Sequence, residues 1–124
     1  MSVFVDSDIL IHVSRGREAT VLGKWSALAR SGEAVFCSPI TVAEVWSGTH
    51  PGERSLVADL FRQLVCVPID EETGRVAAEY LRKYRKSHGV ELPDALIAAA
   101  ASLTGAALWT HNRKHFPMKD LPFY

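Results

Sequence analysis

The stretch Val3-Phe4-Val5-Asp6-Ser7-Asp8-Ile9-Leu10-Ile11 decides how this chain is read. Three β-favouring apolar residues run straight into an acid, and the apolar residues after it suit a short helix through Val13. A strand that hands over to a helix at a carboxylate is the opening unit of an α/β fold. The same alternation continues along the chain. Val21, Leu22, Trp25, Leu28 and Ala29 recur at helical spacing, and Gly32 stops that helix. Ala34-Val35-Phe36-Cys37 reads as a second strand, and Ser38-Pro39 opens the next helix as cap and first-turn proline. Leu56, Val57, Leu60, Phe61 and Leu64 mark another amphipathic helix, and Val65-Cys66-Val67 a third strand. A long helix is expected from about Glu71 to Ser87 with Gly89 as its stop. Pro93 then starts an alanine-rich, buried helix, Asp94 to Thr104, ended by Gly105. Ala107-Leu108-Trp109 is the fourth strand, and Leu121-Pro122-Phe123 a marginal fifth at an edge.

Strands alternating with helices imply an α/β fold with a short, mainly parallel sheet of four or five strands, covered on both faces. In such sheets a ligand site lies beyond the carboxyl ends of the strands, where the strand order switches. This directs attention to Asp6, Ser38, Asp70 and Thr110.

The bulk composition suits one domain. The chain has 124 residues, 48% hydrophobic and 23% charged, an ordinary globular balance. No apolar run is long enough to span a bilayer and no secretory signal opens the chain, so the expected address is the cytosol. Lys plus Arg and Asp plus Glu number 14 each. Zero net charge argues against general phosphate affinity but leaves room for a nuclease whose metal supplies the positive charge. Cys37 and Cys66 read as buried, reduced thiols.

Three acids carry the functional reading. Asp6 ends the first strand; the plainer account is a helix cap, a role that Asp8 fits better by position. Glu44 lies among Val42, Ala43, Val45 and Trp46. Thr41 to Glu44 matches a capping box, but a helix beginning at Ser38 puts Glu44 in the second turn. Asp94 opens the alanine-rich helix, where the helix dipole alone would favour an acid. Together they occupy places that a parallel sheet brings to one end. Their hard oxygen ligands suit Mg²⁺ or Mn²⁺, ions able to activate water against a phosphodiester.

These segments resemble a known family. Val3 to Ile11 is similar to the opening of PIN-domain proteins, Ser38-Pro39-Ile40-Thr41-Val42-Ala43-Glu44-Val45 to their second motif, and Leu92-Pro93-Asp94-Ala95-Leu96-Ile97-Ala98-Ala99 to their third. Leu108-Trp109-Thr110-His111-Asn112-Arg113-Lys114-His115-Phe116 resembles the fourth. Length fits best with the VapC branch, the toxins of toxin–antitoxin pairs. The resemblance implies a three-layer α/β/α fold with residues 1–124 as a single PIN-like nuclease domain, and a Mg²⁺-dependent endoribonuclease with Mn²⁺ as a substitute. Asp6, Glu44 and Asp94 match the family's metal-binding acids. RNA as substrate, a VapB-like antitoxin and a homodimer are the implied partners, with no membrane. His115 stands where the family often has an acid, which leaves a second metal position weakly defined. Asp8, Asn112 and His115 are candidate supporting residues. Arg15, Arg17, Arg113 and Lys114 flank the inferred site and are candidate RNA contacts. The basic run Arg82 to Lys86 reads as a solvated helix face.

Two rival readings remain open at this point. Asp6-Ser7-Asp8 imitates the nucleophile motif of haloacid-dehalogenase-type phosphohydrolases, although no later lysine or paired acids complete it. A non-catalytic PIN-like binding module would account for His115 but not for clustered acids.

Overall fold

The computed structural model describes residues 1–124. In chain order the elements are β1 (Val3–Val5), α1 (Ser7–Ser14), α2 (Ala19–Ser31), β2 (Val35–Cys37), α3 (Pro39–Ser47), α4 (Arg54–Arg62), β3 (Val65–Cys66), α5 (Glu71–His88), α6 (Leu92–Thr104) and β4 (Ala107–Trp109). The four strands form one parallel sheet in the order β3-β2-β1-β4. The chain moves outward from β1 through β2 to β3 and then crosses back to the other side of β1. The strand order therefore switches between β1 and β4, the place where a parallel sheet opens a crevice beyond its strand ends.

Alternation along each strand divides the core into two layers. Phe4 and Leu108 point to one face, where they pack with Ala77 and Tyr80 of α5 and Ala95, Ala98, Ala99 and Ala101 of α6. Val3, Val5, Cys37 and Trp109 point to the other, against Ile9 and Leu10 of α1, Val21 and Leu28 of α2, Val45 of α3 and Val57 of α4. The small side chains of α6 let that helix lie close to the sheet, and Phe4 and Leu108 fill the space. This is the three-layer α/β/α arrangement expected from the sequence. Both long helices of the α5–α6 layer end as the glycines predict: Gly89 at φ 66° and Gly105 at φ 68° take the left-handed conformation that L side chains resist. No helix is long and apolar enough to cross a membrane.

Three sequence expectations change. The fifth strand reduces to a single bridge between Leu108 and Phe123, with Leu108 N–H donating to the Pro122 carbonyl at 2.8 Å and Tyr124 N–H to the Leu108 carbonyl at 2.9 Å. Pro122 has no N–H to extend the ladder. Cys66 is exposed, whereas Cys37 is buried. β3 is a two-residue edge strand, and an apolar run in the sequence does not reveal which strand stands at the edge. Burial and the neighbouring Cys66 push the Cys37 thiol up to about 12, so it is an unreactive core residue. The buried helix begins one residue ahead of Pro93, at Leu92, which leaves Pro93 still in its first turn.

Candidate active site

Asp6 leaves β1 at the strand-order switch and is only 6% exposed. Its carboxylate accepts the Ser7 backbone N–H at 2.8 Å through Oδ1 and the Thr110 hydroxyl at 2.8 Å through Oδ2. Asp6, not Asp8, is thus the N-cap of α1, and it also joins the ends of the neighbouring strands β1 and β4. Capping and a functional role are compatible, because each carboxylate oxygen keeps a further lone pair. Burial, the charge of Asp8 and, to a smaller extent, that of Glu44 push the Asp6 carboxyl up to about 6, against the pull of the Thr110 and Ser7 hydrogen bonds. A buried acid crowded by two more acids lacks a countercharge. This is the electrostatic signature of a place built for a cation.

Asp8 holds the loop beyond β4. Its Oδ2 accepts the His111 backbone N–H at 3.0 Å and Asn112 Nδ2 at 3.3 Å, while its Oδ1 accepts the Ile9 N–H at 2.7 Å. Asn112 therefore ties the end of β4 to α1 through its side chain. Glu44 is exposed in the second turn of α3, and the Ser7 hydroxyl donates to its Oε1 at 3.1 Å. The start of α3 is held instead by Thr41, whose hydroxyl accepts the Ser38 N–H at 3.3 Å. Glu44 is consequently free of capping, as its position predicted, but it faces solvent and is not an acid buried among apolar neighbours.

Asp94 lies in the first turn of α6. Because α6 runs back toward the start of β4, its first turn stands at the same end of the sheet as Asp6. Partial burial raises the Asp94 carboxyl above the usual carboxylate range; the nearby His115 and a hydrogen bond from the Glu91 backbone oppose the shift, and the Glu91 charge adds slightly to it. The site so consists of two groups at one sheet end: Asp6, Asp8 and Glu44, joined through Ser7 and the β4 loop, and Asp94 with His115.

The structure separates the basic candidates. Arg15 is committed elsewhere, to Glu53 Oε2 at 3.2 Å and the Gly48 carbonyl at 3.3 Å, so it braces α1 against the α3–α4 connection and is a poor phosphate contact. Arg113 sits 4.7 Å over the Phe123 ring and donates to the Tyr124 carbonyl at 3.5 Å. Arg17 and Lys114 are exposed. Lys114 and Arg113 line an open cleft of about 600 Å³ together with Lys24, Trp109, His111 and Tyr124. Lys24 Nζ lies 4.4 Å from the Tyr124 ring centroid and 5.2 Å from that of Trp109. Sequence reading overlooked Lys24 and Tyr124, which come from opposite ends of the chain. It also overlooked Ser7, whose only signal was its place between two singled-out acids. Asp70, at the head of α5, is a helix cap: it accepts the Thr73 N–H at 3.0 Å and hydroxyl at 2.8 Å, and that N–H holds its carboxyl below the usual range.

Comparison with known proteins agrees with this geometry. The sequence profile described as PIN domain matches residues 3–121. The chain is 37% identical over 117 residues to ribonuclease VapC10 of Mycobacterium tuberculosis, covering 94% of this chain and 86% of that protein. It is 31% identical over 115 residues to ribonuclease VapC19 of the same organism, covering 92% and 91%. Its fold matches that of a chain in the crystal structure of VapBC2 from Rickettsia felis bound to a promoter DNA fragment, with a TM-score of 0.83, 20% identity, and coverage of 100% of this chain and 98% of that one. These matches displace the haloacid-dehalogenase alternative. With its parallel sheet and with Asp6, Asp8 and Glu44 side by side at the strand-order switch, the chain belongs to the PIN-domain family, in the branch of the VapC ribonucleases.

Proposed function

We propose that this chain is a metal-dependent endoribonuclease, a single domain over residues 1–124, that hydrolyses RNA phosphodiester bonds at Asp6, Glu44 and Asp94. The observation that carries the reading is the Asp6 carboxyl, buried at the strand-order switch and pushed up to about 6 by burial and two neighbouring acids. The donor set fits a hard divalent ion: carboxylate oxygens only, with lone pairs to spare. Mg²⁺ is the proposed resident ion and Mn²⁺ its substitute. When bound, such an ion supplies a polarised phosphate and an activated water.

The chain's own residues do the rest. Asp6 at the sheet end, Asp94 on α6 and Glu44 on α3 are the residues that would hold the ion. Ser7 aims Glu44, while Thr110 fixes Asp6 through its Oδ2. Asp8 and Asn112 keep the β4 loop at the mouth of the site as supporting residues. His115, exposed and beside Asp94, is placed to contact a phosphate oxygen. Arg17, Lys114 and Arg113 are the basic groups left to meet the RNA backbone. The relatives are named ribonucleases, and a similar fold occurs in a VapBC2 assembly; by that likeness this chain would act as the toxin of a VapBC-type pair, as a homodimer restrained by a VapB-like antitoxin.

The test is cleavage of a single-stranded RNA by the purified chain. A chelator is expected to abolish cleavage, and Mg²⁺ or Mn²⁺ to restore it; cleavage that persists in the chelator would overturn the proposal. Proton competition gives a second expected outcome. Metal binding needs Asp6 ionised, so Mn²⁺ affinity should fall through pH 6, approaching tenfold per unit below it. Calorimetric titrations at several pH values between 5 and 8 check this. Flat affinity across that range would show that Asp6 takes no part.

A further inference from the structure

Glu18 is the only residue other than glycine with a positive φ, 62° with ψ 98°. It stands at the head of α2, yet its carboxylate caps no backbone N–H. Instead it lies between two imidazoles: Oε2 is 3.8 Å from His12 Nε2 and Oε1 is 3.6 Å from His111 Nε2. Both gaps are too long for hydrogen bonds. One ligating atom from each of the three side chains lies within 4.8 Å of the other two. The imidazole centroids are 5.1 Å apart, and His12 Nδ1 is buried with no hydrogen-bond partner. Three polar heads from three separate segments thus converge without bonding one another, held there by packing and by an unfavourable backbone conformation at Glu18.

We propose that His12, Glu18 and His111 form a second cation site, for a zinc-class ion, distinct from the carboxylate cluster. Two imidazoles with one glutamate are a zinc donor set that leaves a fourth position open, and imidazole nitrogen discriminates against Mg²⁺. Tetrahedral ligands about 2.0–2.1 Å from zinc stand roughly 3.3 Å apart. The two carboxylate–imidazole gaps, 3.8 Å from Glu18 Oε2 to His12 and 3.6 Å from Glu18 Oε1 to His111, are close to that spacing, and with all three donors within 4.8 Å of one another, side-chain adjustment of up to about 1.5 Å completes the set. Glu18 and His111 are 45% and 37% exposed, which leaves the open position to solvent. An ion here clamps the turn between α1 and α2 to the loop after β4. The backbone N–H of His111 already bonds Asp8, so the clamp fixes the loop that carries Asn112. The proposal stands independently of the ribonuclease reading.

Co²⁺ is the probe, read by its visible absorption and by competition with Zn²⁺. The chain carrying Asp94→Asn is used alongside the unaltered one, so that the carboxylate cluster is disabled in one arm. Co²⁺ is expected to bind both, with nitrogen-ligated absorption displaced by Zn²⁺, and to bind at least tenfold more weakly after His111→Ala or Glu18→Gln. Glu18→Gln keeps the shape of the side chain and guards against a folding failure in His111→Ala. Binding unchanged by Glu18→Gln, or abolished by Asp94→Asn, would overturn the second site.

Discussion

Replacing Asp6 with asparagine is expected to reduce metal-dependent RNA cleavage at least 100-fold while making the metal-free protein more stable at neutral pH. The first effect follows from removing a charged ligand: an ion that supplies several kcal/mol of charge stabilisation in the transition state is lost or displaced, and each 1.36 kcal/mol is tenfold in rate. The second follows from the cause of the raised pKa. Folded Asp6 keeps its proton to about pH 6, whereas unfolded it loses it near the usual value of 3.8. Between those values the folded chain carries more protons, so stability falls as pH rises through the window, and the full penalty stands above pH 6. The gap corresponds to a penalty on the order of 2–3 kcal/mol. Asparagine keeps the shape and can still accept from Ser7 while avoiding the charge. Urea unfolding in chelator should therefore show the variant more stable at pH 8, by on the order of 2 kcal/mol, and not at pH 4. Equal or lower stability at pH 8 would show that the acid cluster is not strained when metal-free.

Phe4→Ala is expected to cost about 3–5 kcal/mol of stability. Phe4 is fully buried on the central strand, with β2 on one side and β4 on the other, and its ring fills the space that the alanines of α6 leave open. Those alanines have no flexible side chains with which to collapse into a cavity. Since domains are typically stable by about 5–15 kcal/mol, the loss is a large share of the total. A urea midpoint lowered by roughly 1–3 M would agree with it, and a shift under 0.5 M would show that the α5–α6 layer relaxes onto the sheet.

The fold was largely legible because local signals agreed. Apolar periodicity switched between strand and helix, glycines stood at the helix ends, and Ser38-Pro39 marked the start of α3. The edge position of β3 was not legible, because strand order is set by packing between segments far apart in sequence; hence the error over Cys66. The site was half legible. Asp6, Glu44 and Asp94 stand at positions that parallel topology alone brings to one sheet end. Their surroundings depend on contacts that no local pattern records: Thr110 reaches Asp6 across 104 residues, and Arg15 is drawn away by Glu53 across 38. The exposed position of Glu44 had the same origin, since Val42, Val45 and Trp46 turn to the core while Glu44 and Ala43 stand on the outer face of α3.

The most direct test is the position of a bound ion. In crystals soaked with Mn²⁺, an anomalous scattering peak is expected among the carboxylates of Asp6, Glu44 and Asp94, and it should disappear in Asp94→Asn. Peaks confined to other places, such as His12 and His111, with the three acids bare, would contradict the central claim.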